Sequence, residues 1–179
     1  LRYEQGKNLG INPFYISDKS DLTPERLEDL AIFILELLSA GNETTKAQEV
    51  AVKKVLLSYY FHCTTGHSLA SLYKYVENNK AILIEDLQIL EKHFSVYDFL
   101  HILSEYVDNG LYSFLFNTNE DQTYRLEDKR LIVFELDEVK DNKEILSVML
   151  KLIKSAIQRT IWRNKAEKGI ILFDEFAKQ

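Results

Sequence analysis

The chain has 179 residues, which is long enough for one domain with a sizeable core or for one domain with an insertion. Its hydrophobic content of 46% and aromatic content of 12% exclude a disordered chain. The formal net charge of -6 argues against a general nucleic-acid coat, because proteins of that class are usually basic.

The cysteine count excludes an intrachain disulfide, and the hydropathy pattern argues against a membrane-spanning helix. Cys63 is the only cysteine, so no intrachain disulfide can form and a reducing compartment is expected. No apolar run in the sequence approaches the roughly 18 residues that a membrane-spanning helix needs.

Helix signals dominate the first half of the chain. Residues 8–16 (NLGINPFYI) are predicted to be extended, because Pro13 biases the preceding Asn12 away from the helical region. A further helix is predicted over 82–94, and residues 22–109 together are predicted to be helical. The other helices are predicted to begin after four residues that can cap a helix N-terminus: Thr23, Thr45, Ser68 and Ser95.

After Gly110 the pattern changes from helical to strand-like. Residues 111–117 and 123–126 are predicted to form a hairpin, and the apolar run at 130–136 (RLIVFEL) a strand. A long helix is predicted over about 142–164, followed by a short buried strand at 170–173. Strand, helix and strand make a βαβ unit, in which the strands run parallel and ligands bind at their carboxyl ends.

Two adjacent carboxylates, Asp174 and Glu175, directly follow the last predicted strand. An apolar strand that ends in an acid pair is typical of the Walker B element of nucleotide-hydrolysing proteins. The alternative, which the motif alone leaves open, is a strand that runs into a solvated turn. The βαβ context favours Walker B, since it places both acids where open α/β sheets bind their ligands.

The histidines are the other residues that could bind a metal. His62, His67, His93 and His101 lack metal-ligand spacing with Cys63 or with nearby acids. No metal site is therefore predicted among the helices.

Three segments of the chain resemble, in the same order, the ATPase domain of TraG-like conjugative-transfer ATPases. The segments are NLGINPF, GLYSFLFN with RLIVFELDEVKDNKEIL, and GIILFDEFAKQ. These proteins are the large ATPases of type IV secretion systems and belong to the FtsK/HerA group of P-loop motors. The resemblance covers about the first 16 residues and residues 105–179, whereas the helices between them match mainly in position.

The resemblance implies an α/β fold, namely a partial RecA-like P-loop NTPase core with parallel strands and a large helical insertion. The implied limits are 1–21 for one core segment, 22–109 for the helical insertion subdomain, and 110–179 for the core segment that ends in Walker B. In that family the Asn-Pro-Phe segment follows the Walker A helix.

The same resemblance gives the acid pair its roles. Asp174 would be the residue that binds Mg²⁺, through water, and with it the ATP phosphates, while Glu175 would be the catalytic residue that orients the attacking water. No G-x-x-x-x-G-K-[ST] motif occurs in the 179 residues. The chain is therefore expected to be the part of a longer ATPase between Walker A and Walker B, inactive alone and holding neither ATP nor Mg²⁺ tightly.

The resemblance also implies partners and a location. The partners are other subunits of the same ATPase in a hexamer and proteins of the secretion channel, and the location is cytoplasmic, peripheral to the inner membrane. A neighbouring subunit would supply an arginine finger. The candidate residues, which are more often solvated surface charges, are Arg125, Arg130, Arg159 and Arg163.

Two other functions stay open. The chain is either an ATPase segment or a non-enzymatic helical interaction module, in which residues 22–109 bind a secretion-channel partner and the acid pair only ends a strand. DNA contact is a third interpretation, because residues 143–179 carry 8 Lys and Arg against 4 Asp and Glu. The basic residues concerned, on a helix that is more often a solvated or subunit-facing surface, are Lys151, Lys154, Arg159, Arg163, Lys165 and Lys168.

Overall fold

The computed structural model describes residues 11–39, 43–116, 130–136, 141–161 and 170–172. Five α-helices lie in these ranges: α1 (Pro24–Ser39), α2 (Lys46–His62), α3 (Leu69–Asn78), α4 (Val96–Leu103) and α5 (Lys143–Ile161). Short helical turns at Lys19–Asp21, Ile82–Asp86, Ser104–Tyr106 and Ser113–Leu115 connect or extend them.

The first four α-helices begin where the capping residues predict. The Thr23 hydroxyl accepts the N–H of Arg26 at 3.2 Å, with Pro24 at the first helical position of α1. Thr45 and Ser68 each form a full capping box, with Gln48 and Ser71 respectively. At the start of α4, the Ser95 hydroxyl accepts the backbone N–H of the third helical residue. Local side-chain chemistry therefore sets these helix starts.

The helix predicted over 82–94 is wrong in most of its length. A π-helical turn covers Ile82–Asp86, and the chain then leaves helical geometry at Gln88, whose φ is 49°. The buried side chains of this segment are Leu83, Ile89 and Phe94, and their spacing does not repeat on one helical face. This segment is therefore an irregular connection whose three buried side chains belong to the core.

Helix α1 lies at the centre of the packing and contacts α2, α4 and α5, while α3 contacts α2 and α4. Its buried residues cover more than half of its circumference, which is typical of a central helix. Helix α5 adds Val148, Met149 and Leu152 to the same hydrophobic cluster. Ile11 and Phe14 belong to this cluster as well, so the segment before α1 is part of the core.

The predicted α/β fold with a parallel sheet is wrong for the residues that the structure describes. Residues 111–116 form turns and a 3-10 helix instead of a hairpin strand, and 123–126 lie outside the described ranges. Residues 130–136 are extended but form no strand, apart from a bridge position at Glu135. Side chains alternate there: Ile132, Phe134 and Leu136 pack on the helices, and the residues between them are exposed.

The prediction of a sheet was wrong because an apolar run by itself does not identify a strand. A continuous apolar run predicts extended backbone, whereas a strand also needs a neighbour with which to exchange hydrogen bonds. The run at 130–136 uses one face to cover the helical cluster and leaves the other face exposed, so it is not buried on both sides as a central parallel strand would be. The RecA-like core with its βαβ unit is not seen in the described part of the chain.

The last described segment differs from its prediction in the same way. Ile170 and Leu172 are 84% and 89% exposed, so 170–172 is not a buried strand, and Phe173 lies outside the described residues. None of the helices that the structure describes is long and apolar enough to cross a membrane.

Candidate functional site

The Asn12-Pro13-Phe14 segment is fastened to the helices by side-chain hydrogen bonds to its backbone. Asn12 donates its side-chain amide to the carbonyl oxygen of His67 at 2.6 Å and accepts the Phe14 N–H on Oδ1 at 3.0 Å. Asn12 and Phe14 are both buried. Because the side chain bonds two residues onward along its own backbone, it closes a local turn while holding the start of α3. We call residues 12–14 the NPF anchor.

Two side chains from α1 and α2 bind the carbonyl oxygens of the NPF anchor. Tyr60 donates its hydroxyl to the Phe14 oxygen at 2.8 Å, and the Arg26 guanidinium donates to the Pro13 oxygen. The Phe14 ring also meets the Phe33 ring of α1 edge-on, with centroids 6.2 Å apart. The anchor is thus held from α1, from α2 and from the start of α3.

Arg26 is a cation in a largely buried place. Burial lowers the pKa of its guanidinium, whereas electrostatic interactions with Tyr60, Asp29 and Asp21 raise this pKa. Burial also raises the pKa of Asp29, against the positive charges of Arg26 and Lys154. An arginine retains its proton under such conditions, so a charged donor stays available for the Pro13 carbonyl.

An aromatic and histidine cluster lies beneath the NPF anchor. The His67 ring contacts the Tyr59 and Tyr60 rings at centroid distances of 5.7 and 4.9 Å. His67 Nε2 lies 3.0 Å from the Cys63 carbonyl oxygen, so Nε2 carries the proton and donates it. Within the described part of the chain, Nδ1 of His67 is buried without a hydrogen-bond partner. Tyr59 completes the cluster through a 2.5 Å hydrogen bond to Ser71.

Helix α5 packs on the same helix, α1, that contacts the NPF anchor. It begins at Lys143, directly after Asn142, whose Oδ1 accepts the Ile145 N–H at 3.1 Å. Its apolar face packs on α1, and Lys151 donates its ammonium to the Glu36 carbonyl oxygen at 3.3 Å. The NPF anchor and α5 therefore both rest on α1.

The predicted catalytic and Mg²⁺-binding residues, Glu175 and Asp174, lie outside the described residues. Their roles stay predictions. Of the arginine-finger candidates, Arg130 is exposed, and Arg125 and Arg163 fall outside the described ranges. No group of three or more His, Cys, Asp or Glu residues that could bind a metal occurs among the described residues.

The structure shows roles that the sequence patterns did not predict for Arg26, Tyr60 and His67, of which only His67 was considered, as a possible metal ligand. One signal was available: Asn before Pro is typical of a side chain that closes a turn, which marks Asn12. The partners that bind the anchor lie between 13 and 55 residues away along the chain, and no local pattern marks such contacts.

Comparisons with known proteins assign the family. A family model for the TraG P-loop domain matches residues 1–179, which is the whole chain. No curated protein and no solved structure matched it. The match agrees with the resemblance carried by the NPF anchor and by the apolar run before the acid pair. The chain therefore belongs to the TraG P-loop domain family, and its role is related to that of the conjugative-transfer ATPases.

Proposed function

We propose that this chain carries the Walker B part of an ATPase that couples ATP hydrolysis to the transfer of DNA or protein through a type IV secretion apparatus. The observation that carries the proposal is the sequence IILFDEF at 170–176, in a chain whose whole length matches the family. An acid pair after an apolar run is what a P-loop ATPase uses to bind its metal and its water.

The two acids have different roles in this proposal. Carboxylate oxygens are the ligands that Mg²⁺ prefers, so the chemistry of Asp174 suits a metal held through water. Mg²⁺, when bound, supplies positive charge that offsets the charge on the phosphates. Glu175 accepts a hydrogen bond from the attacking water and orients it toward the terminal phosphate.

A phosphate-binding loop is also needed, and the 179 residues contain no Walker A motif. Most affinity for the phosphates comes from the backbone amides and the lysine of that loop. We therefore expect this chain to be inactive by itself and to hold neither ATP nor Mg²⁺ tightly.

In this proposal, helix α1 has a structural role. By the resemblance, the NPF anchor follows the Walker A helix, while α5 precedes the segment that carries Asp174 and Glu175. Phe14 packs on Phe33 of α1, and Lys151 of α5 donates to the backbone of Glu36 in α1. In the proposed ATPase, α1 would therefore brace both sides of the nucleotide site.

The partners and the location also belong to the proposal. By the resemblance, the intact ATPase would be a hexamer at the cytoplasmic face of the inner membrane, in contact with the secretion channel and completed by an arginine finger from a neighbouring subunit. DNA contact through α5 has less support, because Lys151 is partly buried and its ammonium binds the Glu36 carbonyl.

The test compares two variants of the intact ATPase that contains this chain. Glu175→Gln keeps the size of the side chain but removes the base, so we expect ATP binding without hydrolysis. Asp174→Asn removes a metal ligand, so we expect weaker binding of the Mg²⁺-nucleotide as well. Equal hydrolysis by both variants and the parent would favour the alternative, a non-enzymatic helical interaction module in which the acid pair only ends the apolar segment.

A further inference from the structure

Helix α2 has a second apolar face in addition to the one that enters the core. Its buried face carries Val52, Val55, Leu56 and Tyr59. On the opposite side Leu57 and Phe61 are 49% and 73% exposed. The residues of this outer face follow one another at spacings of three, four, three and four, the spacing of a coiled-coil seam. We call it the outer seam, and its members are Ala47, Val50, Lys54, Leu57 and Phe61.

A groove of about 320 Å³ adjoins the N-terminal half of the outer seam. Ala47 and Val50 line one wall, and Ile89, Leu90 and His93 line the other. Leu90 is an exposed large hydrophobic residue, like the seam members Val50 and Leu57. The groove therefore widens the apolar strip where the connection after α3 runs beside α2.

The wall opposite α2 is held in an uncommon backbone conformation. Gln88 has a φ of 49°, in the left-handed region that residues other than glycine rarely adopt. Just before it, the Leu87 carbonyl oxygen accepts the Lys54 ammonium at 3.3 Å. One wall of the groove is therefore the regular helix α2. The other wall is hydrogen-bonded, through the Leu87 carbonyl oxygen, to Lys54 in the middle of the outer seam.

One lysine, Lys54, belongs to the outer seam itself, and its exposed side chain reaches the Leu87 carbonyl oxygen at the groove. Lys46 also lines the groove, but it is paired with Glu49 at 2.7 Å and with Glu28 at 3.3 Å. Lys53 is paired with the same Glu49 at 2.7 Å. Lys54 is therefore the charge that this apolar strip offers to a partner, and a carboxylate on an amphipathic helix is complementary to it.

A second copy of this chain is a poor occupant for the strip. Lys54 is the central member of the outer seam. Two copies of α2 packed along this seam in register, parallel or antiparallel, would therefore place one Lys54 opposite the other. Like charges in a coiled-coil seam oppose pairing, whereas a carboxylate opposite Lys54 favours it.

We propose that the outer seam and its groove bind an amphipathic helix of another protein, with apolar residues at alternating spacings of three and four and with Asp or Glu beside them. The strip from Ala47 to Phe61 spans about 20 Å, which is the length of roughly four helical turns. A partner helix packs its apolar residues between Val50, Leu57 and Phe61 and sets a carboxylate against Lys54. This site is independent of ATP hydrolysis.

The test uses a synthetic helical peptide with Leu at the seam positions and Glu beside them, and a matched peptide with Lys in place of Glu. Binding to the full 179-residue chain is measured by calorimetry at low ionic strength. We expect the acidic peptide to bind at least tenfold more tightly than the basic one. Lys54→Glu reverses this order, and Leu57→Ser and Phe61→Ser each weaken binding of the acidic peptide about tenfold or more.

Tyr97→Ser is the matched control for Phe61→Ser. Tyr97 is 68% exposed and has Lys80 5.8 Å from its ring, and Phe61 has Lys19 at 5.9 Å in the same arrangement. The control should bind the acidic peptide as the parent does, and thermal unfolding checks that each variant is folded. Three results would overturn the proposal: equal binding of both peptides, no loss with the seam variants, or self-association or vesicle binding that the seam variants abolish.

Discussion

Asn12 and His67 are joined by a 2.6 Å hydrogen bond from the Asn12 amide to the His67 carbonyl oxygen, across 55 residues of sequence. The same Asn12 side chain accepts the N–H of Phe14, so one buried side-chain amide forms hydrogen bonds with two backbone groups. These bonds fix the NPF anchor onto the start of α3. A buried backbone group that loses its partner costs stability, which makes Asn12 a sensitive position.

Asn12→Ala should lower the free energy of unfolding by about 2 kcal/mol, because it leaves two buried backbone groups without partners. Urea denaturation of the chain measures this change. Asn109→Ala, at an exposed asparagine, is the matched control and should stay within about 0.5 kcal/mol of the parent. Equal effects of the two substitutions would show that the anchor does not depend on Asn12.

Tyr60 and Arg26 bind neighbouring carbonyl oxygens of the NPF anchor, so their contributions should be coupled. Tyr60→Phe should cost about 1 kcal/mol, the usual net value of one hydrogen bond. In a double-mutant cycle with Arg26→Met, we expect a coupling energy of about 0.5 kcal/mol or more. Tyr97→Phe, at an exposed tyrosine, should change little, and strict additivity of the Tyr60 and Arg26 substitutions would contradict the shared anchor.

Glu49 should make the stability of the chain depend on pH in the acid range. Hydrogen bonds from Lys46 and Lys53 lower the pKa of Glu49 from 4.5 to about 2. A lowered pKa in the folded state means that the stabilisation is complete above pH 4.5 and is lost as the pH falls toward 2. Because the ammonium of Lys46 is solvated, we expect a contribution of no more than about 1 kcal/mol.

Unfolding of Glu49→Gln and the parent at several pH values measures this contribution. The variant should be less stable at pH 7, and the difference should shrink as the pH falls through the acid range. A difference that stays constant across that range would mean that the Glu49 carboxylate does not stabilise the fold through its charge.

The helix starts could be predicted from the sequence, because a cap is a local interaction. Thr45 and Gln48, for example, lie three residues apart and satisfy each other's backbone groups. The fold around the predicted strands could not be predicted in this way. Whether 130–136 pairs with a neighbour depends on residues far along the chain, and its apolar run is compatible with either outcome.

The candidate site, like the fold, could be predicted from the sequence only in part. Pro13 marks Asn12 as an extended residue before a turn, but no local pattern shows that Tyr60 and Arg26 bind the carbonyl oxygens beside it. The acid pair at Asp174 and Glu175 is visible in the sequence, and its role stays a prediction. The comparison that matches all 179 residues supports the family and not the individual roles.

The 179-residue chain should neither hydrolyse ATP nor bind it tightly, since it contains no Walker A loop. Phosphate release with Mg²⁺ and ATP measures turnover, and calorimetry measures binding. The Glu175→Gln chain, purified in parallel, controls for contaminating ATPases, because residual activity from a contaminant would be equal in both. Mg²⁺-dependent turnover by the parent that Glu175→Gln abolishes would show that the chain has a complete site of its own.

The most direct test of the central claim is the rate of ATP hydrolysis by the intact ATPase that contains this chain, with and without Glu175→Gln. Removal of the base should lower the rate by at least about a hundredfold, because positioned proton acceptors contribute 10²- to 10⁴-fold. ATP binding should stay close to that of the parent. A Glu175→Gln enzyme that hydrolyses ATP near the parent rate would contradict the account, and the acid pair after IILF would then be only the end of an apolar segment.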